Sequence, residues 1–239
     1  MINSTDVVIA TMPSRGTLFN VLSNVISQEE VNSIHIILNS FTEEHINIVK
    51  NYYKEHNNIS IYSRENKKGS LERFYPIESC DSEYVAIIDD DIIYPADYLK
   101  NMINNCNKLN AVVSMHGRVY GIEKLNNYYS GVKELYHFAS KVDTIKKVDI
   151  VGVGCCLFKR SLFSTKKLNN FYKETSYSNM SDLCFSHFLN KNSIEKYVLP
   201  HIKSYLKPIK TNGFSVCEAY KDNCPVQTKF FNEVFLKSK

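Results

Sequence analysis

Three consecutive aspartates, Asp89, Asp90 and Asp91, directly follow the apolar stretch 84–88. Such an apolar run is typical of a parallel strand covered on both faces, and ligands gather beyond the carboxyl ends of these strands. Because side chains alternate along a strand, we expect Asp89 and Asp91 to project to one side and Asp90 to the other. Adjacent carboxylates repel each other, so the cluster predicts a divalent cation, Mg²⁺ or Mn²⁺. The alternative is a solvated acidic turn before the helix that follows Pro95.

The elements that position this cluster are predicted from the spacing of apolar residues. Apolar runs alternate with helical patterns, which gives strands at 7–11, 34–38, 59–62 and 84–89. This alternation predicts an α/β fold with a parallel, doubly wound sheet. The later predictions are a helix from Pro95 to about Asn107, a strand at 111–115, an apolar run with two glycines at 148–158, a helix at 180–189 and a strand at 193–199. The segment 116–140 lacks a clear period and is interpreted as a substrate loop.

The composition is that of an ordinary globular protein of 239 residues, 44% hydrophobic and 23% charged, with a formal net charge of +4. This mild charge, without an aromatic nucleic-acid-binding motif, argues against a nucleic-acid partner. Seven cysteines without a Cys-x-x-Cys pair argue against a disulfide framework and against a structural zinc site. The first residues lack the pattern of a signal peptide, and no apolar run reaches membrane-spanning length. We therefore expect a cytoplasmic protein.

The segment 87–99, Ile-Ile-Asp-Asp-Asp-Ile-Ile-Tyr-Pro-Ala-Asp-Tyr-Leu, resembles the Asp-x-Asp segment of GT-A-fold glycosyltransferases. The similarity is to family-2-like bacterial enzymes that assemble surface polysaccharides such as capsule or lipopolysaccharide. It implies an α/β fold of the GT-A type, with a Rossmann-like, mostly parallel central sheet flanked by helices. It also implies a single domain over residues 1–239. In that domain residues 1–110 bind the nucleotide sugar, and residues 111–239 bind the acceptor and include a C-terminal tail.

The same resemblance implies which residues bind the donor, a nucleotide-diphosphate sugar that is most simply UDP-linked. The metal, Mn²⁺ or Mg²⁺, is expected at Asp89 and Asp91. Arginines are suited to bidentate contacts with phosphate. The residues expected at the nucleotide are Thr11, Pro13, Arg15, Asn39, Ser70, Arg73, Asp89 and Asp90. Each of these residue types also occurs in ordinary turns and on solvated surfaces.

An inverting transferase needs a base that removes the proton of the acceptor hydroxyl. The segment 179–186 resembles the helix-start acid segment that supplies this base in GT-A enzymes, which implies Asp182 as the catalytic residue. Many relatives have a second acid before the base, where this chain has Ser181. The alternative role for Asp182 is to stabilise the start of a helix.

Two segments, 116–118 and 152–154, resemble the acceptor-side wall of the same fold. On this resemblance His116 is a candidate contact to phosphate or metal, and His201 is a candidate for the metal shell. A single histidine is more often structural, so the sequence leaves both roles open.

Other enzyme classes compete with this interpretation. A haloacid-dehalogenase-like phosphatase also places Asp-x-Asp after an apolar strand, although that motif normally follows the first strand of the domain. A nucleotidyltransferase would need a glycine-rich loop near the N-terminus, and 12–16 contains a single glycine. A non-catalytic module that binds a nucleotide or a sugar would need the acid pair but not Asp182.

The C-terminal tail, 228–239, mixes aromatic residues with lysines. We expect it to pack in the core, and the alternative is a basic amphipathic helix on an anionic membrane. The expected partners are the nucleotide sugar and a glycan or lipid-linked acceptor, with possible peripheral placement at the inner face of the membrane. The oligomeric state is not predicted.

Overall fold

The protein is described by a computed structural model that covers residues 4–211 and 219–239. Its first half follows the predicted alternation of strands and helices. The elements are β1 (Thr5–Thr11), α1 (Leu18–Val25), β2 (Val31–Asn39), α2 (Glu43–Tyr52), β3 (Ile59–Arg64), a 3₁₀ segment (Gly69–Ser79) and β4 (Tyr84–Asp89). Helix α2 shows how the sequence fixes a boundary, because Thr42 Oγ1 accepts a hydrogen bond from the His45 N–H at 3.4 Å.

The second half has shorter strands. Its elements are β5 (Ile92–Ile93), α3 (Tyr98–Leu109), β6 (Val112–Ser114), β7 (Gly117–Tyr120), β8 (Val132–Tyr136), β9 (Lys146–Lys147), β10 (Ile150–Val151), β11 (Cys155–Lys159), a 3₁₀ turn (Arg160–Leu162), α4 (Thr165–Glu174), α5 (Ser181–Lys191), β12 (Lys196–Val198), β13 (Lys207–Pro208) and α6 (Pro225–Phe230). A π-helical turn (Phe231–Phe235) and a 3₁₀ turn (Leu236–Ser238) continue α6. The helices predicted after Pro95 and at 180–189 are confirmed as α3 and α5.

The main sheet of the described residues has the strand order β3-β2-β1-β4-β11-β6-β12-β9. Strands β1 to β4 are parallel, and β11 enters antiparallel between β4 and β6. Strands β10, β7 and β8 form a small antiparallel sheet, and β13 pairs with β5. The predicted mostly parallel sheet flanked by helices is therefore confirmed.

Two predicted segments differ from the structure. The apolar run 148–158 is not one strand, because Ile150–Val151 pairs with β7 while Cys155–Lys159 joins the main sheet, with a turn at 152–154 between them. The segment 116–140, interpreted as a loop, contains the paired strands β7 and β8. Strand β8 is half-buried to exposed along its length, so its apolar residues show no alternation that would identify a strand.

Apolar side chains of the main sheet alternate between two core layers, as expected for strands covered on both faces. One layer lies against α1, α2 and α3, and the other lies against α4, α5 and α6. The first contains Val7, Ile9, Leu22, Ile46 and Met102, and the second contains Val8, Val85, Ile87, Leu168, Phe185 and Phe230. This packing holds the carboxyl ends of β1, β2 and β4 at one edge.

The C-terminal tail packs in the second core layer, as the first of its two interpretations predicts. Phe230, Phe231 and Phe235 are at most 2% exposed. The aromatic face that a membrane helix would present is therefore used inside the protein. Among residues 4–211 and 219–239, no helix has the length and apolar character needed to cross a bilayer. The six cysteines in these ranges are buried and unpaired, and Cys217 lies outside them.

Candidate active site

A cavity of about 1090 Å³ lies where β1, β2 and β4 end. It brings together most of the residues predicted from the sequence, namely Thr11, Arg15, Asn39, Ser70, Arg73, Asp89, Asp90, Asp91, His116 and Asp182. Pro13 is exposed and is not among the described residues that line the cavity. His201 also lies outside it, and its two ring nitrogens contact the carbonyls of Leu199 and His137 at 2.8 and 3.3 Å. It therefore does not present a nitrogen to the acid cluster.

The three aspartates have three different partners. Asp89 ends β4 and its Oδ1 accepts a hydrogen bond from Arg73 at 2.8 Å. Asp90 is buried and accepts from Thr11 Oγ1 at 2.5 Å.

Asp91 forms an ion pair with Arg15 at 3.2 Å. The strand ends at Asp89 and the next two residues form a turn, so strand alternation does not extend to Asp90 and Asp91. All three residues line the cavity.

Negative charge in the acid cluster is only partly compensated. Burial, followed by the charges of Asp89 and Asp90, raises the pKa of Asp91 to about 7. Burial also raises the pKa of Asp90. For Arg73, burial works against the charged form, but the charge and hydrogen bond of Asp89 more than offset it and raise the pKa. An added positive charge at this place would therefore be stabilised.

The donor atoms of the cluster fit a hard divalent cation, for which carboxylate oxygens are the preferred ligands. Asp89 and Asp91 each give one oxygen to an arginine and each has a second oxygen. The backbone leaves room around Asp89 because residue 154 is a glycine. A Cβ built on Gly154 would lie 1.7 Å from Asp89 Oδ2. Gly154 thus allows the Asp89 carboxylate to approach the backbone closely.

A second group of metal-ligating side chains lies near the amino ends of the strands, away from the cavity. Ligand atoms of Asp6, His35 and Cys80 lie within 4.8 Å of one another, the one such trio within the described ranges. Asp6 Oδ1 already accepts hydrogen bonds from the hydroxyls of Ser33 and Ser82 at 2.7 and 2.6 Å. Its Oδ2 accepts the Ser82 N–H at 2.9 Å. We interpret this trio as structural, because the Asp6 carboxylate is already saturated with donors.

Asp182 lies in the first turn of α5 and lines the same cavity as the acid cluster. Its Oδ1 accepts the Val153 N–H at 2.9 Å, and its Oδ2 contacts Arg118 Nη1 at 3.3 Å. The side chain is 30% exposed, so a hydroxyl group can reach it from the cavity. The structure therefore places a fixed, accessible carboxylate in the same cavity as the acid cluster.

Several cavity residues were not singled out from the sequence. Asn66 lines the cavity, as Asn39 does, and both have a buried Oδ1 with no hydrogen-bond partner among the described residues. Ile209 donates its N–H to the Asp91 carbonyl at 2.7 Å, so the segment after β13 covers the acid cluster. The positive φ of Asn66, 58°, is a structural signal for a special site that the sequence alone does not display.

The family model described as Glycosyl transferase family 2 matches residues 6–165, from the second residue of β1 to the first residue of α4, a range that contains the acid cluster. The chain belongs to glycosyl transferase family 2. Membership of this family confirms the resemblance seen in the sequence and argues against the phosphatase and the nucleotidyltransferase. No curated protein sequence matches the chain.

Solved structures of S. aureus TarS, residues 1–349, are similar to this family 2 chain. The complex with UDP-GlcNAc has 17% sequence identity and a TM-score of 0.61, and the match covers 91% of this chain and 61% of that chain. The complex with UDP has 14% identity and a TM-score of 0.54, over 84% and 59% of the two chains. The family 2 chain thus spans about three-fifths of the length of these structures. At this identity the likeness establishes the GT-A fold.

Proposed function

We propose that this chain transfers a sugar from a UDP-sugar to a hydroxyl group of a glycan or lipid-linked acceptor, with inversion at the anomeric carbon. The observation that carries the proposal is that one cavity holds both an undercompensated acid cluster and a separate carboxylate, Asp182. The family 2 match supports the reaction class, and the nucleotide in the TarS complexes supports UDP as the carrier.

The nucleobase is proposed to bind at Asn39 and Asn66. Their Oδ1 atoms are buried without a hydrogen-bond partner among the described residues, which is unfavourable unless a ligand supplies a donor. A uracil ring offers one N–H donor and two carbonyl acceptors, and a carboxamide can pair with either. Binding of the base would therefore supply a donor to one of the two Oδ1 atoms that lack a partner among the described residues.

The diphosphate is proposed to bind beside the acid cluster. Arg15 and Arg73 each contact a carboxylate through one nitrogen, and the guanidinium group has further donors for phosphate oxygens. A Mn²⁺ or Mg²⁺ ion held by Asp89 and Asp91 would supply Lewis-acid stabilisation of the charge that develops on the leaving diphosphate. The hydrogen bond from Thr11 fixes Asp90, which keeps the turn of the cluster in place.

Asp182 is proposed as the base. It takes the proton of the acceptor hydroxyl while that oxygen bonds to the anomeric carbon, and UDP leaves with the electron pair of the glycosidic bond. The Val153 N–H and Arg118 hold the carboxylate from two sides, so its orientation is set before the acceptor arrives.

The acceptor is proposed to bind along the second half of the cavity. This wall contains His116, Tyr128, Tyr129, His137 and Phe138. Burial, followed by the charge of Arg118, lowers the pKa of His116 well below its ordinary value, so its ring is neutral. Flat, neutral rings with polar edges suit the apolar faces and hydroxyls of a sugar. A lipid-linked acceptor would bring the protein to the inner face of the membrane.

The proposal is tested by incubating the protein with a panel of UDP-sugars and Mn²⁺ and measuring UDP release with and without oligosaccharide acceptors. We expect release that depends on both an acceptor and the cation. Asp182→Asn should lower acceptor-dependent turnover by about a hundredfold or more, because a positioned base contributes about 10²–10⁴. Its affinity for UDP should stay close to that of the wild type.

The matched control is Asp143→Asn. Asp143 is exposed and lies outside the cavity, so its removal should leave turnover unchanged. Binding of UDP without turnover for any sugar would instead identify a non-catalytic nucleotide-binding module. Full activity in Asp182→Asn would reject the assignment of the base.

A further inference from the structure

The turn formed by Lys68, Gly69 and Ser70 is hydrogen-bonded to the segment that leads into α5. Ser70 N–H donates to Asn179 Oδ1 at 3.1 Å, and Asn179 N–H donates to the Lys68 carbonyl at 3.3 Å. The Ser181 N–H donates to Ser70 Oγ at 3.3 Å. The two segments are more than a hundred residues apart in sequence and meet through these three bonds.

Helix α5 depends on this contact for its start. Its N-cap residue is Met180, whose side chain makes no capping hydrogen bond. Helix N-termini leave backbone N–H groups without intrahelical partners, and Ser70 Oγ accepts one of them from outside the helix. Ser70 therefore provides the cap that the sequence of α5 lacks.

Gly69 and Asn179 interlock at this contact. Both have left-handed backbones, with φ of 56° and 54°. A Cβ built on Gly69 would lie 1.9 Å from Asn179 Oδ1. The carboxamide thus occupies the space that a side chain at residue 69 would need, and the turn accommodates it only because residue 69 is glycine.

Lys68 fixes the other end of the same segment. Its Nζ donates to the carbonyls of Lys173 and Thr175 at 2.8 and 3.0 Å, and also to that of Tyr172. These carbonyls belong to the C-terminal end of α4 and the residue after it, where a positive charge is favourable. The segment from α4 to α5 is therefore held at both ends by one turn.

The contact continues to the acid cluster. Arg73 Nε donates to the Ser70 carbonyl at 2.9 Å, and Arg73 Nη1 pairs with Asp89 at 2.8 Å. A chain of direct contacts thus runs from Asp89 through Arg73 and Ser70 to Ser181, the residue before Asp182.

We propose that Asn179 is a positioning residue that orients the Asp182 carboxylate relative to the bound donor. It does so through its hydrogen bonds with the 68–70 turn, a contact that we call the clasp. The inference rests on the proposed function, since it assigns a role to the connection between the donor residues and the base. A nucleotide diphosphate that engages Arg73 and Ser70 would hold the start of α5 in the orientation in which Asp182 meets the acceptor.

The test compares three variants of the full chain. Asn179→Gly removes the carboxamide but tolerates the left-handed backbone. Asn179→Asp keeps an acceptor oxygen for the Ser70 N–H and also tolerates this backbone. Ser178→Ala is the matched control, because Ser178 is exposed in the same segment. Each variant is measured for kcat and for the KM of the UDP-sugar, and for amide hydrogen exchange with and without UDP and Mn²⁺.

For Asn179→Gly we expect kcat to fall about 10- to 100-fold, because small misplacement of a catalytic group has effects of this size. The KM of the UDP-sugar should change by less than about twofold. Asn179→Asp should keep kcat close to the wild-type value, because the acceptor oxygen is retained. It should raise KM, because it places a negative charge near the diphosphate. Exchange at residues 68–70 and 180–183 should accelerate in Asn179→Gly, and UDP should no longer slow it. Ser178→Ala should match the wild type.

A wild-type kcat in Asn179→Gly, or exchange at 180–183 that is unchanged in that variant, would overturn the clasp. A kcat for Asn179→Asp that is as low as that of Asn179→Gly would also overturn it. If the wild type releases no UDP from any UDP-sugar, the proposed function fails instead. In that case the exchange measurements with UDP still decide whether the clasp links the nucleotide site to α5.

Discussion

Asp6, at the amino end of β1, and Asp91, just past the carboxyl end of β4, are a buried and a half-buried carboxylate in opposite electrostatic states. At the amino end, burial of Asp6 would raise its pKa, but hydrogen bonds from Ser82 and Ser33 outweigh burial and lower it. At the carboxyl end, burial and neighbouring charges raise the pKa of Asp91 to about 7. One carboxylate is stabilised by the protein alone, and the other is not.

This difference separates a structural acid from one that a bound cation would stabilise. Asp6 receives donors from two other segments of the chain, at Ser33 and at 81–82, so it ties the starts of the strands together. Asp91 forms its ion pair with Arg15 and has two acidic neighbours, and its pKa is still raised, so a cation would stabilise its charged form. A carboxylate that the fold leaves undercompensated is a better indicator of a binding site than a cluster of ligand types.

The largest expected effect is on activity at the carboxyl end. We expect Asp91→Asn to lower turnover by about a hundred- to a thousandfold, since loss of one group that stabilises developing charge has this effect. The folded state should be at least as stable as the wild type, because a repulsive charge is removed. Turnover of UDP-sugar and urea unfolding measure the two quantities. Loss of both activity and stability would contradict a ligand-binding role.

The same substitution at the amino end should have the opposite profile. We expect Asp6→Asn to lower the free energy of unfolding by about 3 kcal/mol, because an amide cannot accept from all the donors around it. Urea unfolding measures this loss. The folded fraction should retain wild-type turnover, because residue 6 lies at the far edge of the sheet. A specific loss of activity without loss of stability would remove the contrast between the two ends.

The smallest expected effect is the pH dependence of stability. The pKa of Asp91 in the folded state lies above its ordinary value of 3.8. Its contribution to the stability of the folded state is therefore present below about pH 4 and is lost as pH rises to about 7. Without divalent cation, the free energy of unfolding of Asp91→Asn should therefore rise relative to that of the wild type by up to about 2 kcal/mol as pH increases from 4 to 7.

Asp6 has a lowered pKa, so its contribution is present above about pH 4 and is lost below it. The loss in free energy of unfolding caused by Asp6→Asn should be constant between pH 5 and 8 and should become smaller in acid. Urea unfolding across pH measures both curves. Parallel curves for the wild type and Asp91→Asn would contradict the raised pKa of Asp91.

The sheet that carries these residues was predictable because β1 to β4 are continuous apolar runs separated by helical patterns. The acid cluster was predictable because three aspartates after such a run have few structural explanations. The antiparallel insertion of β11 was not, because an apolar run does not reveal its direction or its neighbours.

The partners of the site residues were also beyond the sequence. Arg118 and Asp182 are separated by 64 residues, and Ser70 and Asn179 by 109. Such pairs depend on the path of the whole chain and not on local spacing. The turn after Asp89 was not predicted either, because a strand pattern does not show where the strand stops.

Calorimetric titration of UDP with and without Mn²⁺ tests most directly whether the acid cluster holds the cation that binds the diphosphate. We expect Mn²⁺ to strengthen UDP binding to the wild type by about tenfold or more, equivalent to about 1.4 kcal/mol. The cation effect should disappear in Asp91→Asn and persist in Asp6→Asn. Equal UDP affinities for the wild type and Asp91→Asn in the presence of Mn²⁺ would contradict a metal-assisted donor site at Asp89 and Asp91.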